Sequence, residues 1–128
     1  MGNKITKKTI LIVDDEDHVR SLLSRILSKS FNVIEASDGK IAVDLTHSRR
    51  PDIILMDIMM PKMNGDVACH IIKSNPITSN IPVIMVTALD HDLNRKLSLD
   101  IMGANAYVTK PFETQTLMET INKLLVSN

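Results

Sequence analysis

The stretch Ile-Ile-Leu-Met-Asp-Ile-Met-Met-Pro-Lys-Met-Asn-Gly, residues 53–65, sets four consecutive apolar residues against one carboxylate, Asp57, and then breaks at Pro61 and Gly65. A short, continuous apolar run closed by turn residues is what a strand covered on both faces requires. Three further runs follow the same plan. Ile10–Val13 leads into Asp14 and Asp15, Val83–Val86 into Thr87, and Ala106–Val108 through Thr109 into Lys110 and Pro111. Val33–Ala36 supplies a fifth strand without such an ending.

Between these runs the apolar period changes to that of a helix. Val19, Leu22, Leu23, Ile26 and Leu27 fall on one face, as do Leu93, Leu97, Ile101 and Met102, and then Leu117, Ile121, Leu124 and Leu125. Gly39–His47 and Gly65–Ser74 are weaker helical segments. Pro51 and Pro82 open the third and fourth strands, and Gly103 is placed to end the fourth helix. Alternating strands and helices predict an α/β fold, a doubly wound five-stranded parallel sheet with five helices, joined by right-handed crossovers. The five units use the whole chain, so residues 1–128 read as one domain with a basic polar leader over residues 1–8.

Composition narrows the function classes. With 15 Lys+Arg against 15 Asp+Glu there is no net field to favour nucleic acid or an anionic membrane. No apolar stretch approaches the ~20 residues of a membrane span, and the start lacks an apolar signal segment, so a cytoplasmic location is expected. The single cysteine, Cys69, has no partner for an intramolecular disulfide and reads as a buried thiol. The histidines at 18, 47, 70 and 91 lack metal-binding spacing.

Ligands of an open parallel sheet bind beyond the carboxyl ends of its strands. Asp14, Asp15, Asp57, Thr87 and Lys110 therefore meet at one edge. Two carboxylates about 5 Å apart at an effective dielectric of about 20 repel by roughly 3 kcal/mol. A hard divalent cation relieves that repulsion, and oxygen-only ligands select Mg²⁺, or Mn²⁺, over Zn²⁺. Asp14 and Asp15 also suit N-capping of the first helix. A carboxylate such as Asp57 can attack phosphorus to give an acyl phosphate, with Lys110 and Thr87 available to the phosphoryl oxygens. Pro111 fixes the chain after Lys110, with a cis bond one way of doing so.

Taken together, Asp14-Asp15 after ILIV, Asp57 in the quoted stretch, Thr87-Ala88 after VIMV, and Lys110-Pro111-Phe112 resemble the receiver domains of two-component response regulators over essentially the whole chain. The resemblance implies the flavodoxin-like receiver fold, with Asp57 as phosphoacceptor for a sensor histidine kinase or phosphotransfer protein. It also implies direct Mg²⁺ ligation by Asp15, Asp57 and the main-chain carbonyl of Met59, with Asp14 acting through water. Tyr107 matches the family's aromatic switch position, coupled to Thr87. Activation is then expected to draw Thr87 toward the phosphoryl group and to let Tyr107 turn into the space left behind. The altered surface would comprise the fourth helix, fifth strand and fifth helix, presented to a downstream protein target, with no direct nucleic-acid or membrane role. Such a chain catalyses only its own phosphorylation and dephosphorylation. Met59 and Leu89 stand two residues past Asp57 and Thr87, and neither can orient a hydrolytic water.

Two other classes share parts of this pattern. Aspartyl phosphatases need a second acidic residue two positions after the nucleophile, where this chain has Met59. A flavodoxin-like cofactor binder needs a first loop that holds a phosphate, which Asp14–Asp17 would repel.

Overall fold

The computed structural model describes residues 7–127. Five strands form one wholly parallel sheet: β1 (Thr9–Val13), β2 (Asn32–Ala36), β3 (Ile53–Met56), β4 (Val83–Thr87) and β5 (Ala106–Thr109). Their order is β2-β1-β3-β4-β5, so the winding reverses after β1 and places a crevice beside its end. The helices are α1 (Asp17–Leu27), α2 (Gly39–Arg49), α3 (Gly65–Ser74), α4 (Asp92–Lys96) and α5 (Thr114–Ser127).

Strand alternation divides the core into two layers. Ile10, Ile12, Ile53, Leu55, Ile84 and Val86 pack with Leu23, Leu27, Leu117 and Ile121 of α1 and α5. Leu11, Val13, Ile54, Met56, Val83 and Met85 face the other way, toward Ala42, Ala68, Cys69 and Ile72 of α2 and α3. Every residue of β1 but the first, and every residue of β3 and β4, is buried. Full burial of each large aliphatic side chain stabilises the fold by about 1.5–3 kcal/mol relative to exposure. The central strands therefore give a rigid base for whatever follows them in sequence.

Two helical expectations need correction. On α1, Val19, Leu23 and Leu27 pack inward but Leu22 is exposed. The predicted helix from His91 to Met102 is α-helical only through Lys96. It then opens into a π-helical segment, Leu97–Ile101, closed by the Met102 N–H donating to the Leu97 carbonyl at 3.0 Å. That wider turn breaks the 3.6-residue period on which the apolar face was counted. As a result Ile101 is exposed and Ser98 fully buried; Leu93, on the regular turn before it, is exposed as well. Gly103 does end the segment, at φ +90°. Of the basic leader, Lys7 and Lys8 are exposed and Lys7 Nζ donates to the Ser28 carbonyl at 3.3 Å. Residues 1–6 lie outside the described residues. Among the described residues, no helix is long and apolar enough to cross a membrane.

Cys69 is fully buried, as expected, and burial pushes its thiol up from 9.0 to about 12. An unfolded thiol loses its proton near 9, whereas the folded one holds it. The resulting stability is complete below pH 9 and is lost as pH rises from 9 through about 12. Cys69→Ala should therefore flatten the decline of the urea midpoint between pH 9 and 11. A decline as steep as that of the wild type would show that other groups govern the alkaline limb.

Candidate functional site

Each functional side chain stands on the residue that ends a strand or the next one along. Asp14 follows β1, Asp57 follows β3, Thr87 closes β4 and Lys110 follows β5. Because the strands are parallel and in register, all four come to the same edge. The backbone continues the register past the strands: Asp57 N–H donates to the Val13 carbonyl at 2.9 Å, and Lys110 N–H to the Thr87 carbonyl at 2.8 Å.

Asp14 and Asp57 are nearly inaccessible, at 2% and 7% exposure, whereas Asp15 is exposed. One oxygen from each of the three carboxylates lies within 4.8 Å of the others. Lys110 Nζ bridges two of them, at 2.7 Å from Asp14 Oδ2 and 3.1 Å from Asp57 Oδ2. Burial by itself lowers the Lys110 pKa, but the Asp14 hydrogen bond and the Asp57 charge and hydrogen bond outweigh it and leave the ammonium above its usual range. The remaining oxygens are held from the main chain: Asp14 Oδ1 accepts from the Glu16 N–H at 2.9 Å, and Asp57 Oδ1 from the Met59 N–H at 3.2 Å. The N-cap of α1 is Glu16, whose side chain makes no capping bond, so N-capping does not account for Asp14 and Asp15.

The set fits a hard divalent cation. All three donors are carboxylate oxygens, one is open to solvent, and the Met59 peptide lies against Asp57. A groove of about 620 Å³ runs from Asp15 past Met59, Asp66 and Leu89 to Asn94, giving access from solvent. The sequence marks Gly65 only as a break and the start of a helix, yet a Cβ there would sit 2.1 Å from the Asp57 carbonyl oxygen. The close approach lets α3 begin against the Asp57 main chain, with the Gly65 N–H donating to the Ile58 carbonyl at 2.8 Å. The only signal in the sequence was a glycine immediately after Asn64, and Asn64 proves to be the α3 N-cap, accepting from the Val67 N–H at 2.9 Å.

Thr87 and Tyr107 meet at a third residue. Thr87 Oγ1, fully buried, accepts from the Leu89 N–H at 3.4 Å, while the Tyr107 hydroxyl donates to the Leu89 carbonyl at 2.7 Å. Tyr107 is already turned inward, 7% exposed, with the Arg95 guanidinium 4.9 Å from its ring centroid. The hydroxyl thus already has an internal partner in the Leu89 carbonyl.

Removing the ammonium would leave Asp14 and Asp57 facing each other without a counter-charge. Lys110→Met should cost about 3 kcal/mol of stability in EDTA, read as a lowered urea midpoint, and excess Mg²⁺ should restore part of it. A midpoint unchanged in EDTA would show that the two carboxylates do not depend on Lys110.

The response regulator receiver domain model matches residues 10–122. A probable transcriptional regulator, ycf27, of Guillardia theta is 41% identical over 94% of this chain and 46% of its own length. The alkaline phosphatase synthesis transcriptional regulatory protein PhoP of Bacillus subtilis is 35% identical over 92% of this chain and 48% of its own. The chain thus spans about half the length of these curated relatives. Among solved structures, a response regulator of Chloroflexus aurantiacus superposes with a TM-score of 0.88 at 30% identity, covering 94% of this chain and 99% of that one.

Proposed function

The chain belongs to the response regulator receiver domain family, and on that premise we propose that Asp57 is its phosphoacceptor, served by Thr87 and Lys110 at a Mg²⁺ site formed by Asp14, Asp15, Asp57 and the Met59 carbonyl. The single observation that carries this reading is the convergence of three carboxylates within 4.8 Å on a buried aspartate already paired with an ammonium. A structural ion pair needs one carboxylate per ammonium, not three. The donor is a phosphohistidine of a sensor kinase or phosphotransfer protein. Asp57 attacks its phosphorus, the P–N bond breaks, and the electron pair leaves with the imidazole.

Bound at the carboxylates, Mg²⁺ (or Mn²⁺) would neutralise charge on the phosphoryl oxygens. The chain's own residues supply the rest. Lys110 can exchange its contact with Asp57 for a phosphoryl oxygen, adding positive charge where the transition state develops negative charge. Met59 and Leu89 flank the approach with apolar groups, so they do not orient water for hydrolysis, which favours a long-lived acyl phosphate. An aspartyl phosphatase reading is not supported, since the place for its second acid is Met59, and the acidic loop at Asp14–Asp17 disfavours a phosphate-bearing cofactor. The cell compartment consistent with this reading is the cytoplasm.

Asp57→Asn tests the assignment. Incubated with acetyl phosphate and Mg²⁺, wild type should gain one acid-labile phosphoryl group by intact-mass measurement, and the variant none. A variant that still gains it would place the nucleophile elsewhere.

The output is a change in α4, β5 and α5, the face on which a downstream protein would dock. The Thr87 hydroxyl accepts the Leu89 N–H and keeps its own hydrogen to donate, so moving Oγ1 toward a phosphoryl oxygen would stretch the already long 3.4 Å bond from the Leu89 N–H. Because Leu89 also holds the Tyr107 hydroxyl through its carbonyl, the disturbance passes to Tyr107 and to Arg95 above it. The chain has a single tyrosine and no tryptophan, so its intrinsic fluorescence reports Tyr107 alone. Beryllofluoride with Mg²⁺ should shift that emission in wild type and shift it less than half as far in Thr87→Ala. An equal shift in both would remove Thr87 from the route.

A further inference from the structure

Arg20 stands outside the carboxylate set, on the second turn of α1, and its side chain is only 15% exposed. Its guanidinium serves three acceptors from three elements. Nη1 donates to the main-chain carbonyl of Asp14 at 2.6 Å, Nη2 to the Asp17 carboxylate at the start of α1, and Nε to Glu35 Oε1 on β2 at 3.3 Å. The second Glu35 oxygen accepts from Ser24 Oγ at 2.9 Å, so the acceptor on β2 is itself anchored to α1. A rigid planar fork suits this task, and a single ammonium does not.

The Asp14 carbonyl belongs to the peptide that also carries the Asp15 N–H. Holding that oxygen fixes the plane of the peptide, and with it the direction in which the Asp15 side chain leaves the main chain. Asp14 is held on its other sides: its N–H donates to the Ala36 carbonyl at 3.2 Å, and its carboxylate binds Glu16 N–H and Lys110. Asp15 is exposed and gains its direction from the backbone. We propose that Arg20 is a positioning residue for the cation site, clamping the Asp14–Asp15 peptide so that Asp15 converges with Asp14 and Asp57. The inference rests on the reading of that site as one for Mg²⁺.

Charge and positioning predict opposite signs here, which makes the role separable. A guanidinium beside a cation site opposes the cation by Coulomb repulsion, so on charge alone Arg20→Gln would tighten Mg²⁺ binding. Loss of a group that orients a metal ligand instead weakens binding, typically by about 10–100-fold. The experiment is calorimetric titration of Mg²⁺ into wild type, Arg20→Gln and Arg20→Lys at fixed ionic strength, with melting in EDTA to confirm that each is folded. Arg20→Lys keeps the charge and the helix, so it carries the test if Arg20→Gln does not fold. Both variants are expected to bind Mg²⁺ at least roughly tenfold more weakly than wild type. Equal or tighter binding by a folded variant overturns the positioning role while leaving the cation site standing. A wild-type protein that binds no Mg²⁺ overturns the cation site, and the positioning role with it.

Discussion

The Lys110 ammonium, shared between Asp14 and Asp57, is the contact on which the rest of the edge depends. It joins residues 96 and 53 positions apart in the chain, so it exists only once β1, β3 and β5 are aligned in one sheet. The alignment comes from the strands themselves, whose apolar residues are driven out of water on both faces. Three negative groups then arrive at one place as a by-product of that burial. One positive charge between two of them makes the cluster tolerable, while the third, Asp15, keeps its access to solvent.

Such a site is a compromise between stability and readiness. A fully compensated set of charges would be inert, and an uncompensated one would resist folding. Here the compensating cation belongs to the protein and sits on a flexible stem, so it can change partners without disturbing the strands. Rigidity is concentrated below the edge, where β1, β3 and β4 are buried. Above it the edge is open, with Met59 exposed and Leu89 lining the same groove.

The link from this edge to the outer face runs through a short path. Leu89 offers its N–H to Thr87 and its carbonyl to Tyr107, so one peptide segment senses both residues. Beyond it, α4 gives way to a π-helical segment in which Ser98 donates to the buried Asp66 carboxylate at 2.6 Å. This helical stretch is thus short, partly unwound and pinned at one point to α3. These are the features of an element that can shift at modest cost while the sheet stays fixed.

Much of this was legible in the sequence. Four of the strands, and the common edge of Asp14, Asp57, Thr87 and Lys110, follow from short apolar runs that end on polar residues, the pattern that burial of a parallel strand imposes; β2, at the sheet edge and partly exposed, was legible from its β-branched residues alone. The buried thiol of Cys69 and the turn at Gly103 were legible for similar local reasons. What the chain did not disclose was set by contacts distant in sequence. Leu22 and Leu93 fit an apolar helical face yet lie exposed, because no neighbouring element covers that part of the face, and Ile101 lies exposed with Ser98 buried where a π turn shifts the period and no local rule announces it. Arg20 gave no signal, because its value comes from three acceptors that only the fold assembles, and Gly65 gave little, because its missing Cβ matters only against the Asp57 carbonyl. Side-chain chemistry at strand ends is a local property and can be read along the chain. Which neighbour a side chain meets is decided when the layers close.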